Sequence, residues 1–397
     1  MEIVFFFKPI VDLLYQYKAL DIILCILCFC YLFINVKPFR LCNIDCVVFA
    51  LVLLFTISYF NNLNGLIIYI KIISAFLLYF LGRLHYIKWP KLVYQLQKGF
   101  LIVWLITLYS FITKEGFISW GNFTTFTGYY FFKTDLAAAI AQSIVIVFAM
   151  HSLRKIDYAI MFLCIFFILL SNARMYYFIT FIILGIIFIY NRKPHIRVKF
   201  NPKLFLGITL SITILLILMN SLNHILGDKL LLFDFKDTSD LMSGANTQGR
   251  NIIWERVYRY FNQQDFITRL FGVDLVSDTR GGDHNAHSLY LKILFSIGYV
   301  GSILYIFFFI LAIKHINSVK SNRLYYITAC FTIIYLLSGI SNAALEYSQL
   351  TWLPMFFIGT CVSESQCNFN RSYIRLLKKY SMLHISQVNW FKSLFKY

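Results

Sequence analysis

Apolar residues in this chain come in long unbroken runs separated by polar connections. FALVLLFTISYF, YAIMFLCIFFILLS and ITLSITILLILMN are each far longer than a buried strand. About 20 apolar residues cross the hydrocarbon core of a bilayer as a helix, and only helices or closed barrels satisfy their backbone hydrogen bonds there. No run alternates apolar and polar positions as a barrel strand does. The pattern predicts an all-α, polytopic integral membrane protein. Eleven spans fall near residues 20–36, 44–60, 65–82, 99–113, 135–151, 156–171, 175–190, 204–222, 289–313, 324–340 and 350–363. The opening segment EIVFFFKPIVDLLYQYK reads either as a twelfth, broken span or as an interfacial helix. The organisation expected is eight spans in 1–222, a large loop over 223–288, three spans in 289–363 and a basic tail, 364–397.

Composition strengthens this reading. The chain is 59% hydrophobic and 14% charged, against about 25% charged residues in an ordinary soluble domain. Its net charge of +18 suggests a nucleic-acid partner until the charges are placed. Lys37 and Arg40, then Arg83, Lys88, Lys91 and Lys98, then the run from Arg192 to Lys203 and finally the tail all fall on the same side of the predicted topology. The positive-inside rule puts that side in the cytoplasm. No nucleic-acid partner is expected, and the tail reads as a membrane-surface anchor. The large loop then faces outward, across a bacterial inner membrane. None of the nine cysteines lies in that loop, so no disulfide staples it. Cys25 and Cys28 form a C-x-x-C inside an apolar run and read as small hydrophobes.

Two outer connections are long. Lys114–Lys133 is aromatic and carries glycines, and Asn223–Ser288 holds half of the 18 acidic residues. Long loops in compact proteins tend to be functional or disordered. This one reads as folded, because NIIWERVYRYF sets Ile253, Val257, Tyr260 and Phe261 on one helical face. Asn246 or Thr247 would cap that helix. The expectation is an amphipathic helix on the membrane surface, forming a lid over a lipid-facing site.

Several outer side chains carry candidate chemistry. Arg174, in SNARMYY, sits at a tight turn between two spans, either snorkelling to the interface or binding an anion. Arg250 opens the amphipathic helix, where free backbone N–H groups already favour an anion. Arg280 lies on the Gly-rich stretch DTRGGDHNAH, and Lys133 stands where an outer loop re-enters the membrane. His284 and His287 close the large loop, each either a solvated surface histidine or a working one. No metal-ligand set, P-loop, Rossmann glycine pattern or H-E-x-x-H occurs.

The order of these features is familiar: an arginine in SNAR, a long outer loop, GRNIIW, FGV, then HSLYLKILFSIGYVG running into a span. It resembles the family of O-antigen ligases and O-antigen or exopolysaccharide polymerases, a GT-C-like membrane fold. GYYFFKTDLAAAI is similar to that family's entry into an earlier span. Counting from His287, Gly298 and Gly301 fall where the family has its paired glycines, so the resemblance assigns the family histidine to His287. Three positions depart from the family pattern: Ser288 replaces an Asn, Asn172-Ala173-Arg174 replaces a Ser-Arg turn, and Asp135 stands where Asn is usual.

The resemblance implies transfer of a glycan from an undecaprenyl-pyrophosphate donor to a sugar hydroxyl. It further implies that Arg174, Arg250, Arg280 and Lys133 bind pyrophosphate and that His287 serves as base or orients the acceptor. No metal or other cofactor is required on this reading. A chain-length regulator and a flippase are the partners it suggests, beside membrane lipid. Loop length and the GRNIIW and KTDLA forms resemble the polymerases more than the ligases. A flippase or other transporter is the rival from another class, with Lys71 as the clear mid-span charge.

Overall fold

The computed structural model describes residues 1–14, 17–35, 41–84, 88–120, 123–149, 154–192, 250–276 and 287–366. Its helices are α1 (Glu2–Leu13), α2 (Lys18–Ile34), α3 (Asn43–Asn61), α4 (Leu66–Arg83) and α5 (Trp89–Ile112). A hairpin of β1 (Phe117–Trp120) and β2 (Phe123–Phe126) follows. Then come α6 (Lys133–Phe148), α7 (Lys155–Ser171), α8 (Arg174–Arg192), α9 (Arg250–Asn262), α10 (Phe266–Phe271), α11 (Leu289–Ser318) and α12 (Asn322–Ser341). A last helix, α13, covers 348–366.

The described residues are mostly helical, and among them five helices are long and apolar enough to cross a membrane: Asn43–Asn61, Leu63–Arg83, Trp89–Ile112, Leu289–Ser318 and Asn322–Ser341. At 1.5 Å per residue, the 19 residues of α3 reach about 28 Å, close to the hydrocarbon thickness. The apolar helices over Ala19–Ile34 and Arg174–Tyr190 are shorter. The span expected at 204–222 lies outside the described residues. Outward faces are apolar: on α11, Ile303 is 66% and Ile306 62% exposed while Phe308 and Phe309 face inward. Such a surface is compatible with a lipid surround.

Local chemistry sets the helix ends. The Cys42 backbone N–H donates to the Asp45 carboxylate at 2.9 Å, opening α3, and Arg154 does the same to Asp157 at 2.6 Å, opening α7. Pro90 in the first turn lets α5 start at Trp89, ten residues before the apolar run that announced it. Asn172 takes a left-handed conformation (φ 49°) and closes α7. The N-terminal segment is a 12-residue helix containing Pro9, laid along α5.

Further pairings are α3 with α11, α6 with α7, and α8 and α6 both with α12. The crossing of α4 and α13 is close: a Cβ added at Gly82 would lie 2.0 Å from the Phe356 carbonyl, and one at Gly359 would lie 2.1 Å from that of Tyr79. Small residues that let backbones meet are the usual device of helix packing in lipid.

Long-range contacts separate the two ends of the bundle. At one end Arg83 and Asp45, 1% and 0% exposed, form a two-point ion pair at 3.0 and 2.9 Å. Tyr79 donates to the same carboxylate at 2.6 Å, and Arg83 reaches Gln366 at 3.0 Å. A charge counted among the basic connections in the sequence is therefore spent inside the protein. His315 and Ser365 meet at this end as well. The opposite end gathers the hairpin, the starts of α6, α8 and α11, and the segment between α12 and α13.

Candidate functional site

Residues 342–349, joining α12 to α13, occupy the centre of the hairpin end. Gln349 donates to the Asp135 carbonyl at 2.7 Å, and Gln142 donates to the Gln349 carbonyl at 2.6 Å, tying the segment to α6. Lys8 of α1 donates to the Ser348 hydroxyl at 3.0 Å. Lys292 of α11, 1% exposed, lies 2.9 Å from the Glu346 carboxylate and donates to the Leu275 carbonyl at 2.6 Å. A charged group in so enclosed a place is costly unless paired, and Lys292 satisfies itself on two segments at once. Asp274 holds the Val276 N–H at 2.6 Å and accepts from Asn62 at 3.2 Å, so the chain beyond α10 is moored to the end of α3.

Lys133 and Arg174 are half-buried and begin α6 and α8. Those two helices pack on each other and on α12. Arg250 begins α9, and its side chain lies outside the described residues. Three of the four cations predicted from the sequence thus each open a helix. A cation there opposes the helix macrodipole, whereas an anion brought to the same place meets unsatisfied N–H groups and the side-chain charge together. Arg280 and His284 lie outside the described residues.

His287 is half-buried and left-handed (φ 46°), directly before Ser288, which caps α11. An L-residue with positive φ is uncommon and merits a functional question. The first turn of α11 is anchored by Lys292, whose N–H bonds the Ser288 carbonyl at 3.0 Å.

No protein-family model matches the chain, and no curated protein matches its sequence.

The amphipathic segment is a helix, as its periodicity predicts, and its apolar face is spent on α11. Val257 and Phe261 are buried with Phe295, Ile253 joins them, and Tyr260 stacks on the Phe295 ring at 5.7 Å. The next turn carries α10 to a backbone contact with α11. Gly298 interrupts α11 with φ 65° and ψ −164°, and the Phe295 carbonyl accepts the Val273 N–H at 2.8 Å. Gly298 and Gly272 form the docking notch, since a Cβ at Gly272 would lie 2.2 Å from the Ser296 carbonyl oxygen.

Sequence reasoning passed over Lys8, Lys292, Glu346 and the polar residues around Ser348. One signal was available: Glu346 is the sole acidic residue in the sequence between His284 and Ser363. The hairpin in the loop after α5 also escaped notice. At this end the buried Tyr130 hydroxyl has no hydrogen-bond partner among the described residues. Buried polar atoms without partners are rare and often mark where water or substrate sits.

Proposed function

We propose that this chain is a membrane glycosyltransferase that joins undecaprenyl-pyrophosphate-linked oligosaccharide repeats on the outer face of a bacterial inner membrane. The observation that carries the reading is the pair of cations, Lys133 and Arg174, opening neighbouring helices at one end of an apolar bundle, with His287 just before the start of α11. In the reaction, an acceptor sugar hydroxyl attacks the anomeric carbon of the donor. The bond from that carbon to pyrophosphate breaks, and His287 takes the hydroxyl proton. Negative charge grows on the departing pyrophosphate, where Arg174, Arg250 and Lys133 stabilise it, with Arg280 as a further candidate. Arginine suits this task because its planar fork binds phosphate oxygens bidentately and stays charged. The polyprenyl chain lies in the lipid or in a groove between helices, so the outward apolar faces fit such a donor. Transfer to a lipopolysaccharide core instead of a second lipid-linked chain would make the same chemistry that of a ligase.

A transporter is the alternative with an observation of its own, the buried Lys8 with Asp12 and Asp21 inside the bundle. His287→Ala separates the two. If the variant accumulates normally and leaves lipid-linked repeats on the outer leaflet without long chains, the enzyme reading holds. Repeats trapped on the cytoplasmic leaflet would replace it with transport.

A further inference from the structure

Between α1, α2, α4 and the start of α13 lies a cavity of about 50 Å³. Asp12, Asp21, Lys71, Ser348 and Trp352 are in its wall, and Tyr17 stands at the rim, 60% exposed. Lys8, 4% exposed, reaches Asp12, Asp21 at 3.3 Å and Ser348 at 3.0 Å, and lies 4.4 Å above the Trp352 ring. Trp352 in turn donates to Ser74 at 2.9 Å. Nothing in the reaction described above uses this cluster.

We propose that the cavity seats the ring edge of a neutral, hydroxyl-rich sugar. Two carboxylates and two ammonium groups, Lys8 and Lys71, leave the site with no net charge, and this selects the occupant. A free anion entering it would face Asp12 and Asp21, while a free cation would face both lysines. An alkyl chain would strip water from four charged groups and return no hydrogen bond, a cost of several kcal/mol. A sugar carries donors for the carboxylates, acceptors for the lysines and an apolar face for the aromatic rim. Closed space of this size holds a few waters, so one edge of a pyranose enters and the rest remains at the mouth. Beside the site, the Tyr130 hydroxyl is buried with no hydrogen-bond partner among the described residues and lies within electrostatic reach of Asp12.

The cavity also joins the candidate site. Ser348 precedes Gln349, which holds the Asp135 carbonyl two residues beyond Lys133. Glu346, two residues before Ser348 in the same segment, pairs with Lys292 of α11. A sugar seated here is at the hairpin end, where an acceptor is needed. To that extent the inference rests on the proposed function and gives its acceptor glycan a place.

The test is saturation-transfer NMR on the full chain in nanodiscs. The probes are methyl glycosides of glucose, galactose and N-acetylglucosamine, together with the oligosaccharide released from the host's own lipid carrier. The expected result is transfer to ring protons of at least one probe, with affinity falling about tenfold or more in Asp21→Asn and in Lys71→Met, as befits lost hydrogen bonds to charged groups. Lys71→Met leaves the Lys8 pairs in place, so it answers for any misfolding of Asp21→Asn. No transfer from any probe, or transfer that survives both substitutions, overturns the inference. If binding is lost in both variants while deletion of the gene leaves surface polysaccharide unchanged, the sugar site stands and the polymerase reading falls. If binding is absent but His287→Ala abolishes long chains, the reverse holds.

Discussion

Replacing Gly298 with alanine tests how the loop after α9 is held to the bundle. At φ 65° and ψ −164° the backbone at this position is in a region that is nearly glycine-only, costing about 1–3 kcal/mol for another residue. The added methyl would also lie 2.4 Å from the Leu270 carbonyl oxygen and 2.6 Å from the Gly272 nitrogen. Both are backbone atoms, so relief requires moving α10, and overpacking of this kind costs about 1–3 kcal/mol more. The sum, about 2–6 kcal/mol, falls on the docking of residues 266–276. Tryptic cleavage after Arg269 reports the undocked population when opening is fast relative to cleavage. Cleavage in Gly298→Ala is expected to rise by at least about 30-fold, since each 1.4 kcal/mol is a factor of ten. Gly185→Ala is the control, because its methyl meets nothing within 4 Å and a helix interior favours alanine by up to about 1 kcal/mol. Equal cleavage in wild type and Gly298→Ala, or equal damage from Gly185→Ala, would refute the reasoning.

Other substitutions follow from the two ends of the bundle. Arg83→Met leaves Asp45 buried without its cation and should cost about 3–5 kcal/mol; Arg83→Met with Asp45→Leu should recover much of it, read as thermal unfolding of the purified protein. Lys292→Met is expected to loosen α11 and residues 342–349 together, with faster hydrogen exchange in both segments, and Glu346→Gln should restore part of the protection. The Thr268 N–H and hydroxyl, both donating to Asp265 at 2.8 Å, hold its carboxyl below the ordinary range. A depressed carboxyl stabilises fully above its unfolded value of about 3.9 and loses that contribution as pH falls through the lower folded value. Exchange of the Thr268 amide should therefore accelerate only in strong acid, and Asp265→Ala should abolish that acid step.

The helices were legible in the sequence because lipid-length apolar runs have few other fates. The α9 face was legible too, since Ile253, Val257 and Phe261 recur at helical spacing. The hairpin left a readable signal: Gly121-Asn122 separates FISW from FTTF, the two-residue turn pattern of a β-hairpin. Of the Lys8 partners only Asp12, four residues on, is within reach of sequence spacing; Ser348 lies 340 residues beyond Lys8 and is brought there by packing, as Glu346 is to Lys292. Lys133, Arg174 and His287 stood out by position and resemblance, but that the two cations would open neighbouring helices packed on α12 belongs to the three-dimensional structure.

The most direct measurement is to delete the gene in its own host, restore wild type, His287→Ala or Arg174→Gln, and display the surface polysaccharide on a gel. The account predicts a core bearing a single repeat in the deletion strain and the full ladder with wild type. It predicts little or no ladder with either variant at normal protein level, since losing one such electrostatic group typically costs on the order of 10²–10³ in rate. An unchanged ladder in the deletion strain would contradict the polymerase reading, and bare core with long chains stranded on the lipid carrier would make the protein a ligase.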